Sequence, residues 1–230
     1  MEKFRVSFKC LEELERLTNK SVNKNPPLWE QSIANITKLF VLNCHSLRDK
    51  FVDISTDKIA LFSDVICLTE TWLKDDESQE ALEIEGFSQH FNSFGDERGK
   101  GIAVYYRKEK FNPSGKVKQS TLQVSRVSST DLDIISIYRS SNCKDAFHHI
   151  WSLINMEKST IICGDFNLCF VEKLAHPVIQ SLLNLGFEQK VRRATHIQGG
   201  TLDHVYFRKG GRDFKVDLHQ YSPYYTNPRS

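Results

Sequence analysis

The chain has 230 residues, of which 40% are hydrophobic and 11% aromatic, so it can bury a sizeable core as one large domain or two small ones and is not disordered. Its 31 basic and 29 acidic residues leave a formal net charge of +2, which excludes a global electrostatic argument for nucleic-acid binding. Residues 188–230 are mildly basic, with eight Lys/Arg against four Asp/Glu, which suits contact with a phosphate backbone or an ordinary solvated surface.

The first elements in chain order are a predicted helix and a linker. Over residues 4–20, apolar side chains recur at three-residue steps among charged ones, which predicts a helix. Asparagine and proline over residues 23–27 interrupt this pattern. We therefore assign residues 1–30 to an N-terminal helical segment with its linker, and residues 31–230 to the main domain.

From Lys38 onward, apolar strand-like runs alternate with helix-like segments. The predicted strands cover residues 39–43, 64–68, 101–107, 122–127, 132–138, 160–163 and 202–207, and the predicted helices cover residues 47–61, 145–156 and 177–185. Ser46 is a suitable N-cap for the first of these helices, and Gly186 is a suitable terminator for the last. This alternation predicts a mixed α/β domain.

The six cysteines form no CxxC pair, and Cys67 and Cys163 lie inside apolar runs typical of buried strands. This pattern favours reduced thiols in an intracellular protein, in the nucleus or cytoplasm, over a disulfide framework or a zinc site. The sequence shows neither a secretory segment nor an apolar run of about 18 residues. We therefore expect no contact with a membrane.

Polar side chains follow several of the predicted strands directly. Asn43 follows Leu-Phe-Val-Leu, Glu70 follows Val-Ile-Cys-Leu-Thr, and Asp165 and Asn167 follow Ile-Ile-Cys-Gly. Because Asp165 and Asn167 are two positions apart, both side chains face the same way on an extended segment. Turn chemistry alone explains Gly, Asp and Asn in one stretch about equally well. Two carboxylates and two carboxamides in the same context, however, indicate a site for a hard cation such as Mg²⁺.

The order of these motifs resembles that of the endonuclease/exonuclease/phosphatase superfamily. The matching segments are Asn43, Glu70-Thr-Trp72, Gly99-Lys-Gly101, Tyr138-Arg139, Gly164-Asp-Phe-Asn167 and Leu202-Asp-His204. Within the superfamily, LNCHSLRDKF, DVICLTETWL and RGKGIAVYYR are most similar to the endonuclease domains of non-LTR retrotransposons, which are related to abasic-site endonucleases. The resemblance implies a four-layer α/β sandwich, in which helices flank two packed mixed β-sheets.

The same resemblance implies roles for individual residues. Glu70 would be the principal ligand of Mg²⁺, or of Mn²⁺ in its place, and Asn43 would steady the metal site. Asp165 would orient or deprotonate the attacking water, and Asn167 would hold that water or a phosphate oxygen.

Three further residues complete the implied site. Tyr138 would donate its hydroxyl to the substrate phosphate, although a core tyrosine fits the sequence nearly as well. Arg139, which follows it, would also bind substrate. Asp203 corresponds to the carboxylate that orients a catalytic histidine in the family.

The C-terminal segment departs from the family pattern. The family ends on Ser-Asp-His and one further strand, whereas this chain has Thr226, Asn227 and Pro228 after a matching lead-in. Proline offers no donor or titratable group, so we expect weak or lost turnover. His204 adjoins Asp203 on a predicted strand and should face away from it. The divergence is typical of a C-terminally truncated, mobile-element-derived gene product that lacks the last strand.

The leading hypothesis is therefore a Mg²⁺-dependent phosphodiesterase of DNA-endonuclease type, with DNA as its partner. The first alternative is a catalytically inactive module that binds nucleic acid or a protein. The weaker alternative is a lipid or inositol phosphate phosphodiesterase or phosphatase of the same superfamily, which the nuclease-like segment 195–203 disfavours.

Overall fold

The computed structural model of the protein describes residues 3–6, 37–74, 80–93, 99–143, 145–196, 198–210 and 219–221. Within these residues the strands are β1 (Lys3–Val6), β2 (Leu39–Asn43), β3 (Val65–Thr69), β4 (Ser88–Asn92), β5 (Ile102–Tyr106), β6 (Asn112–Lys118), β7 (Leu122–Ser128), β8 (Leu132–Arg139), β9 (Ser159–Asp165), β10 (Glu188–Gln189), β11 (Asp203–Arg208) and β12 (His219–Tyr221). The α-helices are α1 (Leu47–Thr56), α2 (Lys58–Leu61), α3 (Ala146–Trp151) and α4 (Pro177–Asn184), and a 3₁₀ turn covers Glu80–Leu82.

The strands form two six-stranded mixed sheets. The first sheet has the order β12-β1-β2-β3-β5-β4, and the second has the order β10-β11-β9-β8-β7-β6. The pairs β2–β3 and β8–β9 are parallel, whereas the other neighbouring strands are antiparallel. In the described part of the chain, no helix is both long enough and apolar enough to span a membrane.

Three apolar clusters separate four layers. The central cluster lies between the sheets and includes Val41, Cys67 and Cys163. The second packs α1 and α2 on the outer face of the first sheet, and the third packs α3 and α4 on the outer face of the second. Each fully buried aliphatic side chain stabilises this arrangement by roughly 1.5–3 kcal/mol. The predicted four-layer sandwich is therefore confirmed, and both cysteines are core residues.

The strand register brings the functional strand ends to one edge of the sandwich. In the first sheet, the parallel pair β2–β3 places Asn43 beside the end of β3, where Glu70 follows. In the second sheet, Asp165 at the end of β9 is paired with Tyr138 of β8 and with Asp203 of β11. Because β2 and β3 pack on β9 across the interface, these ends meet.

The predicted strands coincide with β2, β3, β5, β7, β8, β9 and β11, whereas the predicted helices are shorter or divided. The helix expected over residues 47–61 is split into α1 and α2 at Asp57, whose φ of −67° and ψ of 111° are extended. The Asp57 carboxylate caps α2 by accepting from the Ile59 and Ala60 amides at 2.7 and 3.3 Å. Ser46 caps α1, as predicted.

The N-terminal prediction needs a correction. The apolar spacing predicts a helix from residue 4, but Lys3–Val6 forms β1, which lies between β2 and β12 and is antiparallel to both. Two flanking strands satisfy the backbone groups of β1, and this pairing overrides a weak helical periodicity. The rest of that predicted segment, together with residues 222–230 and their Asn227-Pro228 pair, lies outside the described residues.

Gly164 offers a direct test of the strand end that carries Asp165. Its φ is 129°, and a Cβ there would collide with the Ile137 carbonyl oxygen of the neighbouring strand. We expect Gly164→Ala to lower the free energy of unfolding, measured in urea, by at least about 2 kcal/mol.

Two other glycines serve as matched controls for this substitution. Gly186 has a φ of 81° but open space around it, so Gly186→Ala isolates backbone strain and should cost about 1 kcal/mol. Gly200, whose nearest neighbour would lie 3.7 Å away, should tolerate alanine to within about 0.5 kcal/mol. Equal stability of the Gly164 and Gly200 variants would contradict the close approach of β8 and β9.

Candidate active site

Asn43 connects the two sheets at this edge. Its side-chain Nδ2 donates to Glu70 Oε1 at 3.0 Å and to Asp165 Oδ2 at 2.9 Å. Glu70 belongs to the first sheet and Asp165 to the second, so one amide holds together two acids that are far apart in sequence. The sequence predicts these three residues in one site, and the structure brings them into contact.

The loops around this contact hold strained backbone. The non-glycine residues with a positive φ in the described chain are His45, Ser46, Glu70, Trp72 and Asn167. Such residues persist only where their surroundings enforce them, and they cluster at functional sites. Here the Ser46 amide donates to the Glu70 carbonyl and the Trp72 amide to the Lys100 carbonyl, both at 2.9 Å. The loops after β2 and β3 are thereby tied to each other and to the start of β5.

The turn after β9 fixes Asp165 and Asn167. Asp165 Oδ1 accepts from the Asn167 backbone amide at 2.8 Å. The Asn167 side-chain amide donates to the Arg139 carbonyl at 3.0 Å. Because a carboxamide carries two N–H donors, the second can serve a ligand.

Asp203 lies opposite Asp165 at the start of β11. Thr195 Oγ1 anchors this point by accepting from the Leu202 and Asp203 amides at 2.9 and 3.1 Å. The neighbouring His204 is buried on the other side of the strand, where it stacks on Phe166 at 4.6 Å between ring centroids. The prediction that His204 faces away from Asp203 is therefore confirmed.

Burial and the neighbouring groups set the pKa values of the three acids. Burial, and then the charges of Asp203 and Glu70, raise the pKa of Asp165 well above its usual value. Burial raises the pKa of Asp203 to about 7, although a hydrogen bond with Thr195 opposes the shift. Burial also acts to raise the pKa of Glu70, but the hydrogen bond and charge of His45, with the Asn43 hydrogen bond, outweigh it and leave the pKa lowered. The site therefore favours added positive charge.

The donor groups fit a hard divalent cation. Mg²⁺ is commonly held by one or two carboxylates and completes its shell with water and substrate phosphate. Glu70 supplies a carboxylate, and Asn43 would steady that ligand by donating from Nδ2 to Oε1. Within the described residues, no three His, Cys, Asp or Glu side chains are arranged to hold a metal by themselves.

The two residues that end β8 are both buried. Tyr138 is 7% exposed and belongs to the central core cluster, beside Asp165 in the strand register. Arg139 is 2% exposed, and its guanidinium donates to the Phe166 carbonyl at 3.1 Å and to the Cys143 carbonyl at 2.6 Å. The resemblance implied that Arg139 binds substrate. In the structure, the guanidinium is enclosed by carbonyl groups and positions the backbone around Asn167.

His45 is a site residue that the sequence did not lead us to predict. Its Nδ1 lies 2.8 Å from Glu70 Oε2, and its side chain is 36% exposed. The usable signal was the position of His45, two residues after Asn43 at the end of a predicted strand, because residues two apart on an extended segment face the same way.

Comparison with known families is consistent with this geometry. The model of the Endonuclease/Exonuclease/phosphatase family matches residues 23–223. The chain therefore belongs to this family, whose enzymes include phosphodiesterases, nucleases and phosphatases. No curated protein matches the chain in sequence.

Solved structures share the fold at low sequence identity. An AP endonuclease from Archaeoglobus fulgidus superposes with a TM-score of 0.58 at 16% identity, over 75% of this chain and 86% of that chain. The 3′ phosphatase NExo from Neisseria, bound to a product DNA hairpin, gives 0.55 at 14% identity over 75% and 86%. The human Nocturnin catalytic domain with a bound sulfate gives 0.58 at 13% identity over 84% and 89%.

Because the pKa of Asp203 is raised, we expect the free energy of unfolding to depend on pH when a chelator has removed divalent ions. The carboxyl keeps its proton in the folded protein up to about pH 7 but loses it near 3.8 when exposed. Its contribution to stability is therefore complete at acid pH and is lost as the pH rises from about 4 to 7, by up to about 4 kcal/mol. Over this pH range, the free energy of unfolding measured in urea should change less with pH for Asp203→Asn than for the wild type. Identical slopes would contradict the buried, repelled carboxylate.

Substitution of Arg139 distinguishes a structural role from a substrate-binding one. Arg139→Met leaves the Phe166 and Cys143 carbonyls without their donor, so we expect the free energy of unfolding to fall by about 2–4 kcal/mol. The exposed Arg192→Met serves as the matched control and should stay within about 0.5 kcal/mol. Unchanged stability with weakened DNA binding would instead return Arg139 to the substrate site.

Proposed function

We propose that this protein is a Mg²⁺-dependent phosphodiesterase that nicks DNA and descends from the endonuclease domain of a mobile element. One observation carries the proposal: the Asn43 amide holds Glu70 and Asp165 together at the edge where both sheets end. Membership of a family of phosphoester-cleaving enzymes supports the reaction class. The mobile-element branch is supported by the similarity of the segments around Asn43, Glu70 and Gly101.

Glu70 would bind the cation, and Asn43 would steady the metal site. When bound, such an ion neutralises negative charge on the oxygens of the scissile phosphate. The lowered pKa of Glu70, maintained by His45 and Asn43 against the effect of burial, keeps this carboxylate ionised at neutral pH. An ionised carboxylate with a constrained position is the ligand that the reaction requires.

Asp165 would position the attacking water and accept its proton. Burial and the neighbouring acids raise its pKa, and a base whose pKa lies nearer the working pH is a more effective proton acceptor. Asn167 lies beside it and would donate its second N–H to that water or to a phosphate oxygen. Tyr138, next to Asp165 in the register, is the remaining candidate donor to the phosphate.

Turnover is expected to be slow, because Pro228 stands where the resemblance places a histidine. The loss of one transition-state donor typically lowers the rate by about 10²–10³. The same observation favours the second candidate, a catalytically inactive module that binds DNA through its basic C-terminal region. Reduced thiols at Cys67 and Cys163 suit a nuclear or cytoplasmic location for either function.

A plasmid assay separates the two candidates. Purified wild-type protein is incubated with supercoiled DNA and Mg²⁺, and relaxed circles are counted over time. Glu70→Gln and Asp165→Asn remove charge at nearly constant volume, and each should lower the nicking rate at least about 10²-fold. Glu157→Gln, an exposed carboxylate away from the site, should nick at the wild-type rate.

The pattern of outcomes decides between enzyme and binding module. Nicking that depends on Mg²⁺ and is lost in both site variants supports the enzyme. Nicking that survives in both variants points to a contaminant and removes this site from the reaction. DNA binding that weakens with salt, without any nicking by the wild type, selects the inactive module.

A further inference from the structure

His45 occupies a position in the site that the family resemblance does not explain. It lies in the loop between β2 and α1, where its φ of 43° is left-handed. Its Nδ1 is 2.8 Å from Glu70 Oε2, while the other oxygen of the same carboxylate accepts from Asn43. The imidazole and the amide therefore flank the two oxygens of the proposed metal ligand.

The spacing between His45 and Glu70 suits two ligands of one ion. Adjacent ligands of an octahedral ion with bonds of about 2.1 Å lie about 3.0 Å apart. Nδ1 and Oε2 now share a hydrogen bond across 2.8 Å. A cation that takes the place of the shared proton would meet two donor atoms whose separation is already close to that of adjacent ligands. Neutral imidazole is the most common nitrogen ligand of metals in proteins.

The surroundings of His45 keep the ring in place. Trp72 meets the imidazole edge to face, with ring centroids 6.0 Å apart and planes at 88°. The backbone of Trp72 is itself held by the Lys100 carbonyl, and the amide after His45 is held by the Glu70 carbonyl. A ligand that is already positioned loses little conformational freedom on binding, which favours its participation.

We propose that His45 is a direct nitrogen ligand of the catalytic cation and that it shifts the preference of the site from Mg²⁺ towards Mn²⁺ and later first-row divalent ions. This inference rests on the proposed function only in that Glu70 binds the cation. Mg²⁺ is a hard ion that prefers oxygen, whereas imidazole suits the transition metals and adds affinity in the order from Mn²⁺ towards Cu²⁺. A site with one carboxylate and one imidazole therefore binds Mg²⁺ but binds Mn²⁺ more tightly.

An alternative role for His45 makes the opposite prediction. If the imidazolium only forms an ion pair with Glu70, it competes with a cation for the carboxylate. Its removal would then tighten the binding of Mg²⁺ and Mn²⁺ alike. If His45 is a ligand, its removal weakens Mn²⁺ and leaves Mg²⁺ nearly unchanged.

The test measures binding to the full chain, without DNA. Mn²⁺ affinity is obtained from the electron paramagnetic resonance of the free ion, and Mg²⁺ affinity from its competition with Mn²⁺. Substitution of residues around metal ligands typically costs 10–100-fold in affinity, so His45→Ala should lower Mn²⁺ affinity at least about tenfold. Mg²⁺ affinity should change by less than about threefold, because imidazole contributes little to its binding.

A spectroscopic readout tests the metal–nitrogen bond itself. The spin-echo modulation of Mn²⁺ bound to the wild type should contain a coupling to a directly bonded nitrogen. The coupling should vanish in His45→Asn, which tolerates the left-handed backbone better than alanine does. It should persist in His148→Ala, a matched control on the exposed surface of α3. Thermal unfolding in chelator checks that each variant is folded.

The failure of this inference is distinguishable from failure of the proposed function. Loss of Mn²⁺ binding in Glu70→Gln, with no nitrogen coupling in the wild type, keeps the metal site but overturns the role of His45. Equal tightening of both ions in His45→Ala also overturns it. Mn²⁺ binding that is unaffected by Glu70→Gln places the ion elsewhere and removes the basis of both proposals.

Discussion

The bridge from the Asn43 amide to Glu70 and Asp165 is the interaction on which the site depends. It joins the ends of two sheets whose shared interface is filled by the apolar central cluster. Without a donor between them, two carboxylates facing each other in a buried position would repel and separate. The bridge therefore gives the edge of the sandwich a fixed pair of acids, and a fixed pair of acids can share one ion and one phosphate.

The electrostatic state of the site follows from this geometry. Burial and proximity raise the pKa of Asp165 and of Asp203, whereas His45 keeps the pKa of Glu70 low. One carboxylate is thus ready to bind a cation, and another is ready to accept a proton. The Arg139 guanidinium is enclosed by carbonyl groups that shape the turn before Asn167. The chemistry rests on acids, amides and one imidazole.

The sequence predicted most of the sandwich, because its central strands are continuous apolar runs with sharp polar ends. It predicted the meeting of Asn43, Glu70 and Asp165 through the order of motifs, and the register of the strands accounts for it. It did not predict β1, whose partners β2 and β12 are non-local, or β6, an edge strand with mostly exposed residues. It also did not predict the burial of Arg139 or the contact of His45 with Glu70, since the periodicity of strands and helices does not encode contacts made by loops.

Anomalous diffraction from a crystal soaked in Mn²⁺ would locate the ion in this protein. We expect one strong peak within coordination distance of the Glu70 carboxylate, on the side that faces Asp165 and Asn43. Such a peak would show that the paired acids of the two sheets serve a single divalent ion. A fully occupied Mn²⁺ site elsewhere in the protein, with no Mn²⁺ at Glu70, would show that the paired acids do not bind the ion.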